Sequence, residues 1–320
     1  MLVVVAGGLV IAIPGLEGVQ DRLGQMSAGW VLLAVGLELL SGHGYVFSFA
    51  VVFPRGPLQF AARVPWLHFV ARVAWLEQGF QAVVPAGGAA AEVPGALVLR
   101  ARGMPWGWIA ERSTVLFLLT SAINAIVISL FGLGLSLGVL PGPSGVLFGL
   151  VPAALGIGVL LLFLALPRGL DRQGRGGRHS LHTRAARGLA NAVREVQSVV
   201  LAGDWRLFGP IAYLLFDIAV LWVCFAALGH PPSLATIVLG YQIGYLTDLI
   251  PVPGGIGVLD GGMIGALVLY GANATTAAAA VLIYHAIALA VPLVVGSLAF
   301  LLLSRTLGKP ARRSTVQPTQ

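Results

Sequence analysis

Asp248 and Asp260 bracket a stretch able to do chemistry inside a membrane: Thr247-Asp248-Leu249-Ile250-Pro251-Val252-Pro253-Gly254-Gly255-Ile256-Gly257-Val258-Leu259-Asp260. Prolines remove backbone donors and glycines widen the allowed backbone. Pro251, Pro253, Gly254, Gly255 and Gly257 therefore break any straight helix here. In lipid a broken backbone survives only where protein or a water-filled cavity covers it. Helix ends at such a break offer N–H groups to a phosphate, and nearby acids can take a cationic headgroup or a proton. The same acids could instead cap the broken ends, and the stretch could be a tight loop between two ordinary spans.

Six of the twelve acids fall at expected membrane depth: Glu38, Glu77, Glu92, Asp217, Asp248 and Asp260. An acid at a helix centre costs roughly 2.5–3.5 kcal/mol on insertion scales, so each needs a cavity, a cation or a hydrogen-bond donor. Asp248, Asp260 and Glu92 are the candidate substrate-binding acids. Glu38 and Asp217 have no motif around them and read as structural. Arg112 pairs with one of these acids or meets a lipid phosphate; it could equally be an ordinary cytoplasmic arginine. His285 could carry a proton in coupled transport, or be a packed neutral group.

The elements that hold these residues follow from composition. The 320 residues are 58% hydrophobic and 10% charged, with a net charge of +7. Mean hydropathy is +0.92. These values describe a polytopic membrane protein. All but one of the 19 Lys and Arg residues are Arg. They cluster between apolar segments, which is the positive-inside pattern and not a nucleic-acid footprint. The single cysteine, Cys224, excludes an internal disulfide and a cysteine metal cluster.

Leu2 to Pro14 is apolar but shorter than the roughly 20 residues a span needs, and is expected to be a short or truncated first span. Further spans are expected at Ala28 to Val52, Thr114 to Leu137, Gly145 to Leu166, Phe208 to Leu228 and Thr276 to Leu303. Trp66 and Trp75 mark an interfacial stretch, and Leu189 to Leu201 reads as an amphipathic segment on the membrane surface. Arg168 to Arg187 carries six arginines and reads as a polar cytoplasmic linker. The chain thus divides into a first membrane half (1–167), a basic linker (168–188), a second membrane half (189–304) and a cytoplasmic tail (305–320).

The break has an earlier echo. Pro85-Ala86-Gly87-Gly88 leads to Glu92, as Pro253-Gly254-Gly255 leads to Asp260, with the acid seven residues after the proline in each. Both then reach Gly-Ala-Leu-Val-Leu, at Gly95 and at Gly265. Basic residues flank the first break on both sides, Arg55 to Arg72 and Arg100 to Arg112. That hairpin therefore enters from the cytoplasm. Three spans separate it from the second, which then enters from outside and brings its tip, like the first, toward the midplane. The expected fold is all-α and integral to the membrane: about six full spans plus two helical re-entrant hairpins in an inverted repeat.

These motifs resemble the lysylphosphatidylglycerol synthase transmembrane (flippase-domain) family. Pro253-Gly254-Gly255-Ile256-Gly257-Val258-Leu259-Asp260 matches its late Pro-Gly-Gly-x-Gly-x-x-acid signature. Glu92 falls at the glutamate of its early Pro-x-x-Gly-Glu stretch. Glu111-Arg112 falls at its Glu-Arg pair, Tyr284-His285 at a Tyr-Arg, and Pro292 at the following proline. The chain departs from the pattern at Gly95 and His285, each in place of Arg, at Val115 in place of Asp, and at Asp260 in place of Glu.

The resemblance implies translocation of a phospholipid or a lipid-linked intermediate across the cell membrane, with both termini cytoplasmic. Aminoacyl transfer is not expected of this chain, so a separate aminoacyl- or glycosyl-transferase is the expected partner besides membrane lipids. No cofactor and no nucleic acid are implied. The alternative is a membrane-embedded accessory subunit, or an enzyme acting on a lipid-linked glycosyl or aminoacyl donor. Against an enzyme stands the lack of Asp-x-x-Asp or His-rich metal spacing.

Overall fold

The computed structural model describes residues 27–54, 65–82, 92–143, 145–174, 181–229, 231–246 and 258–307; for 170–174, 181–185, 258–260 and 306–307 it describes backbone alone. The described residues are all-helical. The helices are α1 (Ala28–Val52), α2 (Trp66–Gln81), α3 (Val93–Ala101), α4 (Trp106–Ser136), α5 (Val146–Gly174), α6 (Leu181–Leu201), α7 (Phe208–Ala227), α8 (Leu234–Leu246), α9 (Val258–Leu269) and α10 (Ala274–Leu307). A 3₁₀ turn at Trp205–Leu207 leads into α7. Asp204 caps that turn. Its carboxyl is held below the usual range by hydrogen bonds from the side chain and backbone N–H of Arg206.

Five helices, α1, α4, α5, α7 and α10, are long and apolar enough to cross a membrane. The protein is therefore multi-pass. The expected first span, Leu2 to Pro14, lies outside the described residues. So do Pro85, Gly87, Gly88, Asp248, Pro251, Pro253, Gly254, Gly255 and Gly257. Around the two breaks stand short helices: α2 and α3 have 16 and 9 residues, α8 and α9 have 13 and 12. At 1.5 Å per residue none covers the roughly 30 Å of a hydrocarbon core.

The bundle has two chemically different ends. At one, Leu303 of α10 packs in a single cluster with Trp66, Leu99, Met104, Val196 and Val199. Both ends of the α2–α3 pair gather there, with Arg100, Arg102, Arg112, Arg194 and Arg305 on the same elements. At the other, the Thr236 hydroxyl donates to the Tyr270 carbonyl at 2.9 Å. The Tyr270 hydroxyl donates to the Phe148 carbonyl at 2.6 Å. Both ends of the α8–α9 pair gather here, and residues 137–147, 228–235 and 269–274 hold no Arg or Lys.

Small residues set the close crossings, as they do where helices lack a hydrophobic drive to associate. Along α1, Ser41, Gly44 and Ser48 meet α7. A Cβ on Gly44 would stand 2.5 Å from the Tyr213 backbone nitrogen. The Ser41 hydroxyl donates to the Tyr213 carbonyl at 3.0 Å. Where α2 crosses α10, a Cβ on Gly79 would stand 2.8 Å from the Pro292 carbonyl oxygen.

Several expectations need correction. The span expected from Thr114 begins at Trp106, directly after Pro105, whose fixed φ suits a helix start. In the polar segment Arg168 to Arg187, α5 continues to Gly174 and a helix resumes at Leu181, because nothing there forbids helix outside the apolar zone. The apolar face of α6 does not lie on lipid. Ala190, Ala192, Val193, Val196 and Val199 are buried by packing against α4 and α5. Trp66 and Trp75 are likewise buried in the bundle, not exposed at headgroup level.

Candidate functional site

Asp217 sits at the middle of α7, 5% exposed. Two tyrosines from two other helices reach it. The Tyr241 hydroxyl of α8 donates to Oδ2 at 2.5 Å, and the Tyr284 hydroxyl of α10 donates to Oδ1 at 2.9 Å. The hydroxyls of Tyr245 and Tyr284 lie 3.1 Å apart. A hydroxyl has one proton to donate, and that of Tyr284 goes to Asp217. The direction of the third bond follows: Tyr245 donates to Tyr284, and the chain of hydroxyls ends on the carboxylate. The rings of Tyr241 and Tyr245 lie 4.6 Å apart, as one helical turn along α8 places them.

Glu38, near the middle of α1 and 6% exposed, is the electrostatic neighbour of Asp217. Its Oε2 is shut off from solvent and has no hydrogen-bond partner. His285, next to Tyr284 on α10, is also close enough to act electrostatically on Asp217.

A second cluster lies two turns along α1. Tyr45 donates its hydroxyl to Oε2 of Glu77 on α2 at 3.0 Å. Glu77 is 3% exposed. Glu92, at the start of α3, acts electrostatically on both and is hydrogen-bonded to Ser113 of α4. Gly95 lets α3 come this close: a Cβ there would fall within 1.7 Å of Oε1 of Glu77. The Tyr45 and Tyr213 rings, 5.6 Å apart, join the two clusters. The outcome is one buried seam of four acids and five tyrosines running along the contact of α1 with α7.

The expected site residues divide. Glu92 lies in the seam, and as the residue before α3 it makes no side-chain cap bond. His285 lies at the other end of the seam. Asp260 is the third residue of α9, and only its backbone is described. Arg112 stands apart from the seam. It makes a two-pronged salt bridge to Glu195 of α6, 3.0 Å on each arm, and a third contact to Glu111 at 3.2 Å. Glu38, Glu77, Asp217 and the tyrosines are what reading by motif missed. The tyrosines were the signal: of the six in the chain, all but Tyr270 belong to the seam. Among the described residues no group of three or more His, Cys, Asp or Glu side chains could hold a metal ion.

The seam is acidic, buried and lined by hydroxyl donors, and it lies beside both broken helix pairs. The family described as Lysylphosphatidylglycerol synthase TM region matches residues 1–296, nearly the whole chain. The chain belongs to that family. No curated protein and no solved structure gives a significant match. The lysylphosphatidylglycerol synthase TM region is a membrane domain linked to lipid-related functions. Among the described residues the seam gathers Glu38, Glu77, Glu92 and Asp217 with five tyrosines in one connected cluster. The chain's departure at Gly95 falls on the Glu77 cluster, where the space for any side chain is taken by the Glu77 carboxyl.

Proposed function

We propose that the protein translocates a phospholipid or a lipid-linked intermediate between the leaflets of the cell membrane, by way of the acidic seam. The observation that carries this reading is Asp217, buried at mid-helix, ligated by tyrosines from α8 and α10, and flanked by Glu38, in a chain of a lipid-linked family. Among the described residues, four carboxyls in the seam with His285 as the basic side chain acting on Asp217 suit a headgroup that carries an amine. The two helix pairs then act as re-entrant hairpins of an inverted repeat. Their opposite attachment in the bundle favours this, since one closes at the arginine-rich end and the other at the end where residues 137–147, 228–235 and 269–274 hold no Arg or Lys. The arginine-rich end faces the cytoplasm, with both termini. The lipid is modified by a separate aminoacyl- or glycosyl-transferase, and this chain is a transporter and not an enzyme.

The test is transbilayer movement of fluorescent phospholipids in proteoliposomes, with zwitterionic, anionic and amine-bearing headgroups. Asp217→Asn and Glu77→Gln are compared with wild type, and Glu92→Gln and Asp260→Asn are added for the hairpin acids. The expected outcome is movement of the amine-bearing lipid that falls at least tenfold in Asp217→Asn. Folded wild-type protein that moves none of these lipids, nor a polyprenyl phospholipid, sinks the reading.

A further inference from the structure

The seam holds more carboxyls than the described residues around it neutralise. The antiparallel crossing that sets Ser48 against Gly209 and Ser41 against the Tyr213 carbonyl brings Glu38 and Asp217, each about one turn further on, to the same level of the α1–α7 contact, and each is more than nine-tenths buried. Asp217 has a hydroxyl donor on each oxygen. Glu38 has none on Oε2. The groups that face the pair can be named element by element. From α7 come Tyr213 and Cys224, from α8 Tyr241 and Tyr245, and from α10 Tyr284 and His285. Glu77 of α2 reaches toward it only through Tyr45. Glu111 and Arg112 of α4 lie at the arginine-rich end, held to α6. No Arg or Lys occurs on α1, α7, α8 or α9, and Arg305 of α10 is at its far end. One histidine can neutralise one carboxylate. It cannot neutralise two.

Two carboxyls side by side in a low-dielectric interior do not both ionise, and the one with fewer donors keeps the proton. We infer that Glu38 and Asp217 form a proton-binding pair, with Asp217 the carboxylate held by Tyr241 and Tyr284 and Glu38 carrying an exchangeable proton that accompanies lipid movement. The coupling to lipid rests on the translocation reading above; the proton site does not. The hydroxyl chain Tyr245–Tyr284–Asp217 connects the pair to the last turn of α8, which ends at Leu246, immediately before the broken stretch. A change in how α8 sits therefore changes what stabilises the Asp217 charge, and so where the proton rests.

The experiment is infrared difference spectroscopy of the full chain in lipid nanodiscs across a pH series. A protonated carboxylic acid has a carbonyl stretch that a carboxylate lacks. Wild type minus Glu38→Gln is expected to show that band at neutral pH, shrinking as pH rises. In Asp217→Asn the neighbouring negative charge is gone, so the band is expected to titrate at a pH about one unit lower or more. The second variant decides the matter if Glu38→Gln does not fold. A band unchanged by both variants overturns the proposal. So does a band lost on adding sodium at constant pH, which makes the pair a metal-cation site.

A parallel arm measures lipid movement with and without a pH gradient. Wild type is expected to respond to the gradient and Glu38→Gln to be indifferent to it. Lipid movement that ignores the gradient in both removes the coupling. Failure of any lipid to move counts against translocation and coupling together, and the infrared bands still decide the proton pair.

Discussion

A 2.5 Å hydrogen bond from the Tyr241 hydroxyl to Oδ2 of Asp217 fastens a helix too short to cross a membrane to one long enough to do so. Tyr284 completes the joint from α10. Three helices therefore meet on one carboxyl group. Anything that moves α8 must stretch or break a bond to the buried carboxyl group of Asp217.

The two tyrosines should not behave as independent contributors. Tyr241→Phe or Tyr284→Phe alone leaves Asp217 one donor, and each is expected to cost about 1.5–3 kcal/mol, the range for a hydrogen bond to a charged group. The double variant leaves the carboxylate with neither hydroxyl and is expected to cost more than the two single losses summed. Unfolding of the detergent-solubilised protein, followed for all four members of the cycle, gives the coupling. Simple additivity would mean that the hydroxyls do not share one acceptor.

The α2–α10 crossing depends on a bare backbone surface. At Gly79 a new Cβ meets the Pro292 carbonyl at 2.8 Å, and at Gly296 it meets the Gly79 Cα at 2.7 Å. Neither neighbour is a flexible side chain that can swing away. Gly79→Ala is expected to destabilise the fold by about 1–3 kcal/mol. Gly36→Ala, where no atom lies within 4 Å, is the control. There the loss of chain entropy in the unfolded state favours alanine, by about 0.5–1 kcal/mol. Thermal unfolding of the two variants should move in opposite directions.

What could be read from the sequence was what composition controls. The run from Ala28 to Val52 is apolar but for a few residues and long enough to span, so α1 was found at its observed limits. The short helices on either side of the breaks followed from Pro85, Pro251 and Pro253. The site was legible only in part, because its geometry is set by register between distant helices. Ser41, Gly44 and Ser48 fix how far α1 slides on α7, and that slide alone decides that Glu38 faces Asp217. No local pattern around either acid carries this. The partner of Arg112 was out of reach for the same reason, since Glu195 lies 83 residues away in the chain.

That latch gives a test of what Arg112 does. Its guanidinium is 16% exposed and Glu195 31%, so the bridge is shielded more than a surface pair. Glu195→Gln is expected to cost about 1 kcal/mol and to raise hydrogen exchange along α6. The exchange of both residues, Arg112→Glu with Glu195→Arg, should restore protection if the bridge is a latch between α4 and α6. Protection restored without recovery of lipid movement would instead give Arg112 a direct part in holding lipid.

The opposite attachment of the two helix pairs makes a prediction about sidedness. Val139, 74% exposed, marks the end where the α8–α9 pair closes, and Leu201, 77% exposed, marks the arginine-rich end. Thr275, also exposed, stands beside the close of the α8–α9 pair. In a Cys224→Ala background, Val139→Cys and Thr275→Cys are expected to react with a membrane-impermeant maleimide on intact cells. Leu201→Cys should react only after the membrane is opened. The positive-inside asymmetry requires this order, because the arginines at one end resist transfer across the bilayer. If Thr275→Cys and Leu201→Cys become accessible together, the α2–α3 and α8–α9 pairs enter from one face. The inverted repeat would then fall, and with it the reason for placing both hairpin tips at the Asp217 seam.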